Sequence, residues 1–82
     1  MTRMTLDKLK KGCSAKVVCF AKEERAYRQK LLAMGITPGT YIKLVRVAPL
    51  GDPIEIKVLG THISLRKPEA KAITVEYTGH DN

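Results

Sequence analysis

The stretch "KLLAMGITPGT" at residues 30–40 constrains the fold most, because it separates a helical period from a strand period. Upstream, "KEERAYRQKLLAMG" (22–35) predicts a helix over about 22–34. At about 100° per residue, Tyr27, Leu31 and Met34 share one face. Glu23 and Glu24 come early and Lys30 late, as the helix macrodipole favours. Gly35 suits the left-handed position that ends a helix, and Ile36 then falls where a Schellman ending presses it on Leu31. Pro38 presets the bend and Gly39 permits a positive φ. Leu32 lies about 100° from Leu31, on the flank that carries Arg25 and Arg28. It is either a shoulder of the core or an exposed apolar residue ringed by cations.

After Gly39 the period is two. "TYIKLVRVA" (40–48) puts Ile42 and Leu44 on one face and Tyr41, Val45 and Val47 on the other. "IEIKVLG" (54–60) turns Ile54, Ile56 and Val58 inward, and Gly60 with Thr61 makes a tight turn into "HISLR" (62–66), whose inward residues are Ile63 and Leu65. "AITVEY" (72–77) is the closing strand. Before the helix, "SAKVVCF" (14–20) directs Ala15, Val17 and Cys19 to the core and lays Phe20 over the rim. Thr5 is the cap candidate of a one- or two-turn helix over "LDKLKKG", stopped by Gly12. "PLGDP" (49–53) is a loop and "KPEA" (67–70) a turn. The sum is mainly β: a small SH3-like barrel of about five antiparallel strands with a short N-terminal helix and one longer helix. The 82 residues make one domain, with its core at about 6–77 and a polar, frayed tail at 78–82.

Fifteen Lys and Arg against eight Asp and Glu give a net charge of +7, which points to an acidic partner: nucleic acid, an anionic membrane surface or an acidic protein face. Nucleic acid fits poorly, because only Phe20 and three tyrosines could act as stacking platforms. No run approaches the ~18 apolar residues of a membrane span, and the charged N-terminus has no signal-peptide core. The chain reads as soluble and cytoplasmic. Cys13 and Cys19 are free thiols, with Cys19 packed as a small hydrophobe. His62, His80, Cys13, Cys19 and Asp52 are the possible metal donors, but no two have helical i, i+4 or CxxC spacing. No cofactor or specific metal site is expected, only weak divalent-metal binding at "GHDN". No nucleophile, base or carboxylate pair forms a catalytic pattern, and "PLGDP" lacks the features of a phosphate loop.

Three segments taken together, "L-x-x-MG-I-T-PG-T" (31–40), "APLGDPI" (48–54) and "LRKPEA-x-x-I-x-V" (65–75), resemble the FeoA family of bacterial ferrous-iron transport proteins. The likeness runs from about Leu6 to Glu76. It implies a non-enzymatic cytosolic accessory of the FeoB permease, acting by contact with that membrane protein and its cytoplasmic G-protein domain, close to the inner membrane. No small-molecule substrate is implied. The same domain also ends iron-dependent regulators, so the alternative is a metal- or nucleic-acid-responsive regulatory module. Within the accessory reading, Leu32 is the candidate anchor, with Arg25 and Arg28 as rim cations and Met34 nearby. The loop residues Pro49, Leu50 and Asp52 form a second candidate surface.

Overall fold

The computed structural model describes residues 2–21 and 25–77. In chain order these form β1 (Thr2–Thr5), a 3₁₀ turn (Leu6–Lys8), β2 (Ser14–Phe20), α1 (Arg25–Ala33), β3 (Tyr41–Val47), β4 (Ile54–Val58), β5 (Thr61–Leu65), α2 (Lys67–Lys71) and β6 (Ile73–Tyr77). All strand pairings are antiparallel, in one sheet ordered β1-β6-β2-β3-β4-β5. No helix among the described residues is long and apolar enough to cross a membrane.

Helix gives way to strand where the glycines stand. The Ile36 N–H donates to the Leu31 carbonyl and the Gly35 N–H to the Leu32 carbonyl, each at 3.0 Å. With Gly35 at φ +89° this is a Schellman ending. Leu31 and Ile36 are both fully buried in one cluster. A type II turn follows, with Pro38 leading, Gly39 at φ +93° and the Thr40 N–H on the Thr37 carbonyl at 3.0 Å. Two 2.8 Å bonds, Gly39 N–H to Val17 and Val17 N–H to Thr40, fasten that turn to β2. The helix is thereby locked to the sheet at its C-terminal end.

The inner face of the bent sheet carries Ala15, Val17, Ile42, Leu44, Ile54, Ile56, Val58, Leu65, Ile73 and Val75, closed by Leu6 and Leu31. Tyr27, Met34 and Phe20 pack at its margin. A β-bulge at Val45 changes the register between Leu44↔Ile56 and Arg46↔Glu55, which supplies part of the curvature.

Five details depart from the sequence expectation. A sixth strand, β1, pairs with β6, Arg3 opposite Glu76 and Met4 opposite Val75. With one apolar residue in four it carries no legible alternation, and backbone pairing at the sheet edge decides its conformation. The N-terminal helix is a single 3₁₀ turn, where the Thr5 hydroxyl donates to the Asp7 carboxylate instead of capping a backbone amide. Cys19 is exposed and Cys13 is the buried thiol. The cause is a bulge between Val17 and Cys19, where one extra residue inverts the alternation and sets Cys19 opposite Thr74. Residues 67–71 form a helix where a turn was expected. Finally, the β4–β5 turn is Leu59–Gly60, since Val58 pairs with Thr61. Residues 22–24 of the expected longer helix, and the tail at 78–82, lie outside the described residues.

Leu59 is the odd residue of that turn. It holds φ +51° beside Gly60 at +81°, as a type I′ turn requires, although asparagine, aspartate or glycine suits the position better. A left-handed leucine costs about 1 kcal/mol. Leu59→Asn is expected to raise stability by about 0.5–1 kcal/mol, read as a higher urea midpoint at constant m-value.

Candidate protein-docking surface

α1 presents two adjacent leucines to different surroundings. Leu31 faces the core, whereas Leu32 is 38% exposed. One and two turns back on the same flank stand Arg28 and Arg25, both exposed. Met34, by contrast, is partly buried against the core. Of the helical candidates, Arg25, Arg28 and Leu32 therefore share an accessible face, and Met34, packed against the core, does not join it.

A further exposed apolar residue reaches the C-terminal end of the helix from a distant part of the chain. Leu59 is 80% exposed, and its Cδ1 lies 3.9 Å from where a β-carbon on Gly35 would stand. Leu59 therefore stands against the glycine that ends α1, three residues after Leu32 in the chain. Sequence reasoning missed Leu59, because an apolar residue beside a glycine reads as the last residue of a strand. A leucine in a two-residue hairpin loop, where Asn-Gly is favoured, was the available signal.

One buried acid also contacts α1. Glu69 on α2 is buried, and its Oε1 accepts the Arg66 N–H at 2.9 Å while its Oε2 meets the Lys30 ammonium of α1. Burial pushes the Glu69 carboxyl up. The Lys30 hydrogen bond, the Arg66 amide and both positive charges outweigh that and hold it below the ordinary value. The ion pair thus ties α1 to α2 across the domain.

The second candidate segment lies elsewhere. The loop over residues 48–53 is closed by the Ala48 N–H on the Pro53 carbonyl at 3.0 Å and the Gly51 N–H on the Ala48 carbonyl at 2.7 Å. Its Asp52–Pro53 peptide is cis. Leu50 is 94% exposed, and Pro49 borders an open groove with Lys11, Arg46, Pro53 and Glu55. Asp52 is engaged within the domain: its Oδ1 accepts the Lys67 N–H at 3.0 Å, at the first residue of α2. β4 separates this loop from Leu59, and a five-residue strand spans roughly 17 Å. Leu50 and Leu59 thus stand at opposite ends of β4. Among the described residues, no three His, Cys, Asp or Glu side chains converge to hold a metal ion.

The chain's likeness to known proteins agrees with this architecture. The family model of the FeoA domain matches residues 4–77. Over 73 residues, 89% of the chain, it is 34% identical to part of an Fe(2+) transport protein A/Fe(2+) transporter FeoB fusion protein of Porphyromonas gingivalis, and it spans 8% of that protein's length. The solution structure of a FeoA-like protein from Clostridium acetobutylicum superposes with a TM-score of 0.88 at 37% identity, covering 100% of this chain and 95% of that one. The zinc complex of Stenotrophomonas maltophilia FeoA, described as a prokaryotic SH3 domain protein, superposes with a TM-score of 0.78 at 30% identity over 89% of both chains. On the extent of the family match and these identities, this chain belongs to the FeoA family.

Proposed function

We propose that this protein is a non-enzymatic accessory of ferrous-iron uptake that docks on the cytoplasmic part of a FeoB-type permease. The observation that carries the reading is the Porphyromonas gingivalis relative, in which a segment similar to this chain is joined to an Fe(2+) transporter FeoB. The exposed Leu32 on the helix flank with Arg25 and Arg28 supports it, and the exposed Leu59 beside Gly35 offers a second apolar contact at the helix end. A few apolar anchors surrounded by weaker polar contacts are how small interfaces concentrate binding energy. In this reading Pro49 and Leu50 serve a separate contact, and Asp52 keeps their loop in shape. Catalysis and a resident cofactor play no part, and the protein works on the cytoplasmic side.

Leu32→Asp tests the proposal by co-purification with the permease from membranes. The substitution places a charge in the apolar contact, so recovery of the complex should fall by at least tenfold. The same variant should unfold within about 1 kcal/mol of the parent, because the side chain is not part of the sealed core. Full recovery of the complex with Leu32→Asp would reject this docking face.

A further inference from the structure

A recess of about 150 Å³ lies beside β1 and β6, away from the surfaces described above. Met4, Leu9, Cys13 and Tyr77 form its wall, and Lys8 and Lys10 complete the lining. Met4 and Tyr77 share one face of the β1–β6 pair, since Thr2 stands opposite Tyr77 and Met4 opposite Val75. The other wall is the connector from the 3₁₀ turn to β2, and backbone bonds fix its course. The Leu9 N–H donates to the Leu6 carbonyl and the Cys13 N–H to the Lys10 carbonyl, each at 3.1 Å. The Gly12 N–H donates to the Leu44 carbonyl at 2.7 Å. The Cys13 thiol donates to the Tyr77 hydroxyl at 3.7 Å and joins the two walls. Leu9 is buried, while Lys8 and Lys10 on either side of it are exposed. The recess is therefore largely apolar within and doubly cationic at its mouth. No carboxylate lines it. Asp7 instead accepts the Thr5 hydroxyl, and Glu76 pairs with Arg3. Neither Lys8 nor Lys10 forms an ion pair with a described residue.

We infer that this recess binds a small organic monocarboxylate with an apolar, ring-sized body, of which benzoate is the simplest aromatic example. Size, polarity and charge each narrow the class. A cavity of about 150 Å³ accommodates a benzene ring but not a nucleotide or a long acyl chain. The apolar wall takes the ring, whose removal from water supplies the non-directional part of the affinity. The carboxylate stays at the mouth, where the Lys8 and Lys10 ammonium groups can donate charge-assisted hydrogen bonds to it. A neutral ring leaves two like charges at the mouth uncompensated, and a cationic one adds a third. The fold itself has no use for this arrangement, because a recess forfeits contacts that packed side chains would make. A ligand held there touches β1, β6 and the connector at once, and so fastens the edge strand to the domain. The inference rests on this recess alone and is independent of the permease-docking proposal.

The isotopically labelled protein is titrated with sodium benzoate, with benzyl alcohol and with benzylamine, and backbone amide shifts are followed by NMR with no permease present. Benzoate should give saturable shifts centred on Met4, Leu9, Cys13 and Tyr77, with a dissociation constant of about 1 mM or below. It should bind about tenfold more tightly than either analogue. The Lys8→Gln, Lys10→Gln double variant should lose about tenfold in benzoate affinity and bind benzyl alcohol as the parent does. Equal charge removed elsewhere, by Lys57→Gln with Lys67→Gln, should leave benzoate affinity within about twofold. Cys13→Met should abolish binding by filling the recess. Lys8 and Lys10 are exposed, so their double variant keeps the test decisive if the Cys13 variant fails to fold. No saturable shift up to about 10 mM benzoate would overturn the inference. So would equal affinity for benzyl alcohol, which would leave only an apolar crevice, or equal losses in the two double variants, which would leave only unspecific attraction between charges.

Discussion

Leu31→Ala should cost this domain about 2–5 kcal/mol, whereas the same change at Leu32, the next residue, should cost less than about 1 kcal/mol. Leu31 is fully buried, belongs to the cluster that includes Ile36 and Val17, and supplies the carbonyl that ends the helix. Truncating it removes three carbon atoms and leaves a cavity that the turn beneath Ile36 resists filling. Leu32 is 38% exposed, and the exposed cations Arg25 and Arg28 precede it on the same flank of the helix. A domain of this size has a total stability of only about 5–10 kcal/mol, so the first variant should be partly unfolded at physiological temperature and the second intact. Urea denaturation of both variants reads the contrast. A loss above about 2 kcal/mol for Leu32→Ala would place that side chain in the core and remove it from any interface.

The second large effect is at Glu69. Its carboxylate is buried, accepts the Arg66 amide and meets Lys30. Glu69→Gln keeps the shape and can keep the bond to Arg66, but it sets an uncharged amide against the Lys30 ammonium. The expected loss is about 1–3 kcal/mol at pH 7. The acid dependence has a definite sign. The folded-state pKa lies below the ordinary value of 4.5, so the folded protein binds the proton less readily than the unfolded chain. The stabilisation is therefore fully present above the unfolded value and is lost as pH falls through the lower folded value. Urea midpoints between pH 7 and pH 2.5 should show an acid limb in the parent that is shallower in Glu69→Gln. Parallel limbs in the two proteins would show that other carboxylates govern the acid response.

Where the sequence carried a local physical signal, the fold was legible in it. Gly35, Pro38 and Gly39 specify their dihedrals outright, and the Schellman ending and type II turn formed where those residues stand. The alternation of Ile54, Ile56 and Val58 fixed the face of β4 for the same reason. The misses arose where long-range pairing overrides a local pattern. Cys19 alternates correctly with Ala15 and Val17 but is turned outward by a bulge that depends on β6. β1 exists because β6 offers it an edge, and no property of "TRMT" announces it. At the candidate site, the helix flank with Arg25, Arg28 and Leu32 could be placed from the helical period alone. Leu59 could not, since its approach to Gly35 comes from packing a hairpin tip against a helix end 24 positions earlier in the chain. Glu69 was hidden for a similar reason: only the assembled structure buries it beneath Lys30.

The pairing of β1 with β6 also bears on how the domain is carried. Thr2 stands opposite Tyr77, so chain entering the domain and chain leaving it meet at one place on the sheet. Anything attached before or after the domain pulls at the same point, where β1 forms the sheet edge and β6 is held on its other side by β2. A tether at that point would leave the domain free to swivel as a whole. Its docking contact with a covalently linked neighbour would then form at an effective concentration of about a millimolar for a short flexible linker. Under that condition a small contact would be enough, because the linker replaces the affinity that a freely diffusing partner would need.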